Sequence, residues 1–599
     1  MSLFFGHILA TANQPLLQIK NAQDDADLFH TQHITLRNGT HHTETVDSLI
    51  ISYTGTPSWV EPQLSQLAKQ QGFSASLAKA YKVDGIECIK KLTGGFVILI
   101  HHRELNKTFL AIDKMGVGRL IYKEQNGLLF SNSIKTLQKF VPNSFQINDQ
   151  AIFNYVYFHM VPSPDSFFTG IKKLEPAHYL TYEDGTLSCT RYWEPTFSEK
   201  TPLSKKQLSE QLHTHLKNAV RRNISDSDSV GAFLSGGLDS STVSGTLASF
   251  RSNPDTFTIG FDAEGYDETP YARIASRHFH TKHHEYFVTP QDVIDAVPKI
   301  AAAYDEPFGN SSAIPTYFCA KLAKENGCKT LLAGDGGDEL FAGNERYAKQ
   351  KIFEAYNNAP SFIHKIIDTP YKNSSTLREK SPFKKGYSFL QQAATPLPNR
   401  LENYNFLHQI APETIFDTAL FKTINTEQPI DHLSSYYNLP DNANTLNRMH
   451  YMDWKRTLAD NDLRKVSHMC ELAGVEVKYP FLDSELVDFS CSIPSSLKLK
   501  GFKLRYFYKQ AMKGFLPNEI LTKPKHGFGL PFGVWMKTNK DLQALAYDNI
   551  SGLKKRNFFN PNFLDLAIDQ HRSGHASYYG ELIWVLMMLE LWLKKFNAQ

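Results

Sequence analysis

Short apolar runs alternate with helix-like runs across residues 229–335, and this alternation constrains the fold more than any other feature of the chain. "SVGAFL" (Ser229–Leu234) has the length and apolar content of a buried strand. After a glycine turn, "SSTVSGTLASF" (Ser240–Phe250) reads as a helix. "DTFTIGF" (Asp255–Phe261) is a second strand, "TPYARIASRHF" (Thr269–Phe279) a second helix and "KTLLAGD" (Lys329–Asp335) a third strand. Such alternation predicts a parallel sheet with helices on both faces, because parallel strands need crossover connections. Ligands of such sheets bind beyond the carboxyl ends of the strands.

The first ~195 residues follow a different rhythm. "GGFVILIHH", "TFLAID", "RLIYKEQNGLLFSN" and "HYLTYEDGTLSCTRYW" are apolar or alternating runs, punctuated by the turn pairs Asn126-Gly127 and Asp184-Gly185. They predict hairpins in a sandwich or layered sheet. "EPTFSEKTPLSKKQ" (Glu194–Gln207) is polar, holds two prolines and reads as a linker. "LSEQLHTHLKNAVRRNI" (Leu208–Ile224) has helical periodicity, and beyond about residue 350 the chain reads as mostly helical. The domains expected are therefore 1–195, a linker over 196–210, and 211–599.

At 599 residues the chain exceeds what one hydrophobic core supports. Its 64 Lys+Arg against 61 Asp+Glu leave a formal charge of +3, which gives no argument for nucleic acid or an anionic membrane. Its 6 cysteines form no CxxC pair and suggest neither a zinc knuckle nor a disulfide framework. No signal peptide or transmembrane run is legible, and a cytoplasmic location is expected.

"LSGGLDSS" (Leu234–Ser241) closes the first strand of the alternating region. A helix starting there aims unpaired N–H groups and a partial positive charge at a ligand. Gly236 and Gly237 permit close backbone approach, and Ser235, Ser240 and Ser241 can donate to phosphate oxygens. Asp239 would repel phosphate and is better explained as a magnesium ligand. The turn lacks the lysine of GxxxxGK[ST] phosphate loops. A second glycine-rich acidic loop, "GDGGDELFAGNERY" (Gly334–Tyr347), follows the third strand and carries Asp335, Asp338 and Glu339. If the two strands are neighbours, Asp239 and Asp338 can share one magnesium ion on a triphosphate.

These two loops, with "DEPFGNSSAIPTY" (Asp305–Tyr317), "VEVKYPFLDSELVDF" (Val475–Phe489) and "KPKHGFGLPFGVW" (Lys523–Trp535), resemble the synthetase domain of asparagine synthetases in order along the chain. The resemblance implies an adenine nucleotide alpha hydrolase-like α/β domain with added helices. It also implies ATP and Mg2+, adenylation of a carboxylate with pyrophosphate release, and attack by a nitrogen nucleophile on the acyl-adenylate. By position, Ser235, Gly237, Asp239 and Ser240 would hold pyrophosphate and magnesium, with Asp338 as second metal contact. Leu234, Ile259 and Gly334 would meet adenosine, and Glu339 and Glu306 are candidate substrate-side carboxylates. The family's charge-stabilising cation falls in "LKGFKLRYFYKQAM" (Leu499–Met512), at Lys503 or Arg505, with Lys503 preferred as a compact charge that can exchange a proton. Relatives often read "VDRMSMAHGLEARVPFLD" where this chain reads "VSHMCELAGVEVKYPFLD", so Ser467 and His468 replace an acid–base pair.

Residues 1–195 are similar to the glutaminase domain that accompanies the synthetase, which implies an Ntn-hydrolase-like αββα layering. Active relatives carry an N-terminal cysteine as nucleophile, and that place belongs here to Ser2, a far weaker nucleophile at neutral pH. Where substrate motifs are expected the chain reads "SYTGTPSW" (Ser52–Trp59). Loss of glutamine hydrolysis is expected, as in β-lactam synthetases and lasso-peptide cyclases. An intramolecular cyclase of either kind and a non-catalytic nucleotide-binding scaffold stand as alternatives to the amide ligase. Expected partners are a small-molecule or peptide carboxylate, with a precursor peptide, a biosynthetic protein or a second copy as further candidates. Neither nucleic acid nor membrane is among them. The histidines of "RHFHTKHHE" (Arg277–Glu285) fit no metal spacing and are expected to be structural.

Overall fold

The computed structural model describes residues 3–9, 28–31, 33–39, 42–141, 145–224, 229–362, 364, 383–524, 529–573 and 576–596. Ser2 lies outside them. The N-terminal half is built on two six-stranded antiparallel sheets. One runs in the order Lys172–Lys173, Ile121–Glu124, Leu128–Ser131, Phe4–Ile8, Ile34–Asn38, Leu28–His30. The other runs Thr186–Arg191, His178–Glu183, Lys107–Ile112, Phe96–His102, Leu49–Gly55, Thr43–Val46. Asn126-Gly127 and Asp184-Gly185 sit in the hairpin turns, with the asparagine and aspartate at positive φ.

Strand alternation explains the layering. Phe4 and Ile50 point between the sheets into a core shared with Ile34, Leu99 and Leu110. Phe5 and Ile51 face outward. Helices Pro62–Gln71 and Phe73–Asp84 cover the outer face of the second sheet. Ile134–Phe140 and Asp149–Phe158 cover the first. The result is helix, sheet, sheet, helix.

The C-terminal half holds a five-stranded parallel sheet. Its strands are β1 (Val230–Phe233), β2 (Asp255–Phe261), β3 (Lys282–Val288), β4 (Thr330–Leu332) and β5 (Glu476–Lys478), in the spatial order β3-β2-β1-β4-β5. Helices α1 (Leu238–Ala248), α2 (Thr269–Phe279), α3 (Ala313–Glu325) and α4 (Leu463–Ala473) pack around it. The strand order reverses between β1 and β4, so the loops after these two strands diverge and leave a crevice.

Two differences from the sequence reading have local causes. The linker ends early, because Ser204 and Gln207 form a capping box that starts a helix at Lys205. β5 lies in the region read as helical. It is three residues long, and its pairing with β4 is remote in sequence. Of the histidine cluster, His283 and His284 fall within β3, where His284 Nε2 lies 2.8 Å from Asp255 Oδ1 on the neighbouring strand.

Candidate active site

The crevice at the β1/β4 switch opens into a cleft of about 830 Å³. Leu234 and Ile259, at the ends of β1 and β2, form a buried apolar floor beside Gly334. The turn after β1 is closed by its own serines. The Ser235 N–H donates to Ser240 Oγ (3.2 Å), the two hydroxyl oxygens are 3.0 Å apart, and the Gly237 N–H donates to Ser235 Oγ (3.2 Å). Gly237 caps α1 with no side chain of its own, so the first-turn N–H groups of α1 face the cleft. Ser235, Gly237, Asp239 and Ser240 all line it.

Gly236 and Ser241 do not line it. Gly236 has φ +64°, and a Cβ there would overlap the Tyr271–Ala272 backbone, so its role is to let the turn pack on α2. Ser241 points from α1 into the protein and is fully buried. Their assignment as nucleotide contacts is corrected accordingly.

The acidic loop after β4 meets this turn. Asp335, Asp338 and Glu339 line the cleft, and glycines make the approach close. A Cβ on Gly337 would collide with the Asp239 carboxylate, and one on Gly343 with the Asp338 carboxylate and the Arg505 guanidinium. Asp239 and Asp338 converge on a single cation. Arg505 Nη1 donates to Asp239 Oδ1 (2.9 Å), and Nη2 reaches Asp239 Oδ2 (2.8 Å) and Asp338 Oδ1. Two carboxylates that already bracket one charge, next to a helix N-terminus, suit magnesium, which takes one or two carboxylates and completes its shell with phosphate oxygens and water.

The preference for Lys503 over Arg505 is reversed by this geometry. Both residues precede the short helix Tyr506–Ala511 rather than lying in it. Lys503 is exposed at the rim, whereas Arg505 has left-handed backbone geometry (φ +52°) that turns its side chain inward, to 8% exposure. Glu306 is also displaced. Its carboxylate accepts from the Phe167 N–H (2.6 Å) and pairs with Lys173 (2.7 Å) at the junction of the two halves, away from the cleft.

Two cations went unnoticed in the sequence. Lys465, at the start of α4, donates to Asp462 (2.9 Å) and lines the cleft where the chain has just left the π-helical winding of Trp454–Asp462. Burial alone would lower its pKa, but Asp462 and Asp335 hold it raised. Burial pushes the Asp335 carboxyl up to about 6, with Lys465 opposing. Lys523 pairs with Glu268 (2.7 Å) and lies over the Tyr271 ring beside the β1 turn. Lys465 sits in no glycine-rich stretch, and Lys523, although it opens "KPKHGFGLPFGVW", carries no role in the sequence reading.

A second cavity, of about 330 Å³, lies between the halves. At its wall Arg119 donates to both Glu471 oxygens (2.9 and 3.0 Å) and contacts His468. Burial and this guanidinium hold His468 well below the ordinary imidazole pKa. Asp113 accepts from the N–H groups of Phe96, Met115, Val117 and Gly118.

Residues 211–594 match the asparagine synthase family model and residues 66–193 the glutamine amidotransferase domain model. Asparagine synthetase (glutamine-hydrolyzing) 1 of Bacillus subtilis is 25% identical over 508 residues, 84% of this chain and 78% of its own. A putative asparagine synthetase of Mycobacterium tuberculosis H37Rv is 24% identical over 532 residues, 87% of this chain and 79% of its own. Putative asparagine synthetase 2 of Methanocaldococcus jannaschii reaches 32% over 296 residues, 48% of this chain and 57% of its own. With the switch-point cleft and its two acidic loops, these matches place the chain in the asparagine synthase family, a family of ATP-dependent amide ligases.

Proposed function

We propose that the chain is an AMP-forming amide ligase that activates a carboxylate with ATP and passes the acyl group to an amine or ammonia without hydrolysing glutamine. The observation that carries the ligase reading is the convergence of Asp239 and Asp338 on one cation at the N-terminus of α1. A triphosphate on the β1 turn meets backbone N–H groups and serine hydroxyls. Leu234 and Ile259 offer the adenine an apolar floor. The Asp239–Asp338 pair would hold magnesium, which neutralises charge on departing pyrophosphate. Arg505, Lys465 and Lys523 supply positive charge around the reacting centre. Glu339, buried beside Asp338 and lining the cleft, would face the acid or the amine.

The loss of glutamine hydrolysis is supported by Ser2 in the nucleophile's place and by the second cavity. There Arg119 is committed to Glu471 and His468, and Asp113 to four backbone donors, so neither is disposed to orient a glutamine. The amine then comes from solution or from the substrate itself, and the latter is the cyclase form of this chemistry. Pyrophosphate release measured over a panel of aspartate, sugar-acid and peptide carboxylates, with and without ammonium, tests the ligase reading. Release that depends on an acid and disappears in D239A supports it. Failure of every acid favours a nucleotide-binding scaffold. Glutamate formation from glutamine at an amidotransferase rate refutes the second part.

A further inference from the structure

We propose that Arg505 is a counter-charge latch that bridges the two acidic loops, competes with a metal for Asp239 and Asp338, and makes metal entry conditional on a triphosphate. The inference rests on the reading of Asp239 and Asp338 as the metal pair. It assigns Arg505 a positioning role that the adenylation chemistry alone does not require.

The latch is visible in its contacts. The guanidinium engages both oxygens of Asp239 and one of Asp338, which are the atoms a metal would take. Its placement is built rather than incidental. Arg505 has φ +52°, a conformation a non-glycine residue adopts only where its surroundings enforce it. Here the Arg505 N–H donates to the Ala342 carbonyl (3.2 Å), and Ala342 is itself left-handed at φ +59°. The next residue, Gly343, donates its N–H to the Asp338 carbonyl (2.8 Å). The loop bearing the cation is thereby pinned to the turn bearing one of its anions. Gly343 completes the fit, since a Cβ there would overlap both the Asp338 carboxylate and the guanidinium.

The chemistry of the competing cations gives the consequence. A guanidinium does not deprotonate in a protein, so it leaves the carboxylates only by moving. Magnesium sheds hydration water reluctantly and meets carboxylates already held by a near-bidentate fork. A triphosphate changes the balance in two ways at once: its oxygens complete the metal's shell, and they offer the planar guanidinium fork an anionic partner that it can engage bidentately. Metal and nucleotide then bind with positive coupling, and that coupling is reciprocal. The unmoved latch also offsets one of the pair's two negative charges, which reduces the repulsion between the two loops.

The test uses Mn2+ alone as probe, titrated into the full-length ligand-free protein and followed by electron paramagnetic resonance of the free ion. Wild type is expected to bind Mn2+ weakly at this pair. R505Q is expected to bind at least about tenfold more tightly without nucleotide, since a charge-assisted fork no longer competes. R505K, whose point charge cannot bridge both carboxylates, should fall between and serves if R505Q does not fold. The tighter site must disappear in R505Q/D239N. Equal Mn2+ affinity in wild type and both Arg505 variants, or no site in any of them, overturns the latch. If the site in R505Q survives D239N, the metal assignment of Asp239 is what fails, and the latch fails with it.

Discussion

Gly337→Ala sets a local rule against the geometry of the cleft. Gly337 is the first residue of the short helix Gly337–Phe341 and does not have positive φ. Helix propensity alone therefore makes alanine better there by about 1 kcal/mol. The site makes the opposite demand. A Cβ at 337 would collide with Oδ1 and Cγ of Asp239 and would lie 2.9 Å from Oδ2. Ordinary contact begins near 3.4 Å, so to clear Oδ1 the carboxylate must retreat by more than an ångström. Retreat lengthens the 2.8 and 2.9 Å contacts with Arg505 and withdraws a metal ligand. A charge-assisted contact contributes about 1.5–3 kcal/mol, so withdrawing the Asp239 carboxylate from the proposed metal pair weakens Mg2+-ATP binding by about 10- to 100-fold. Isothermal titration of Mg2+-ATP into wild type and G337A reads this directly, with thermal unfolding of the ligand-free proteins alongside. The expected pattern is a folded protein of near-native stability with impaired nucleotide binding. A G337A protein that is more stable than wild type and binds Mg2+-ATP equally well would refute the claim that this glycine exists for the approach of Asp239.

Other substitutions probe separate parts of the argument. Asp335→Asn should stabilise the protein near pH 7.5 by about 3 kcal/mol, because a carboxyl raised to about 6 by burial loses stability as pH climbs from the unfolded value through 6. The advantage should shrink as pH falls toward 4.5 in a thermal-shift series. Gly236→Ala forces a left-handed alanine against the Tyr271–Ala272 backbone and should cost about 3 kcal/mol or more, seen as a large drop in melting temperature. Lys173→Met leaves Glu306 with a single backbone donor and should destabilise by about 2 kcal/mol, most of it recovered in K173M/E306Q in a double-mutant cycle.

What could be read in the sequence was what neighbours along the chain determine. β1, α1, β2, α2 and β4 lie where apolar period and glycine punctuation put them. Asp239 and Asp338 were legible together because each follows a strand, and parallel neighbours open their loops on one edge. Contacts set by approach from elsewhere were not legible. Lys503 and Arg505 are two residues apart and both cationic, and what brings only one of them to the acidic pair is a backbone dihedral that no side-chain pattern announces. Glu306 sits in a stretch that resembles the family's site, yet its partner Lys173 comes from the other half of the molecule. β5 is three residues long, too short for periodicity to register.

The N-terminal half shows the same division between packing and chemistry. Its helices Ile134–Phe140 and Asp149–Phe158 share one continuous core with the synthetase half. The Tyr155 hydroxyl donates to the Val585 carbonyl (2.8 Å), Phe167 packs edge-on against Trp592 at 5.0 Å, and buried Lys455 donates to the Pro176 carbonyl (2.6 Å). Residues in that core are constrained by volume and hydrogen bonding whether or not glutamine is hydrolysed, since cavities and orphaned polar groups are costly. A nucleophile and its substrate loops carry no such packing duty. A half that has lost its reaction can therefore lose those motifs while keeping its strands. On the proposed loss of glutamine hydrolysis, the hairpins of residues 1–195 would stay plain in the sequence while the glutaminase motifs would not.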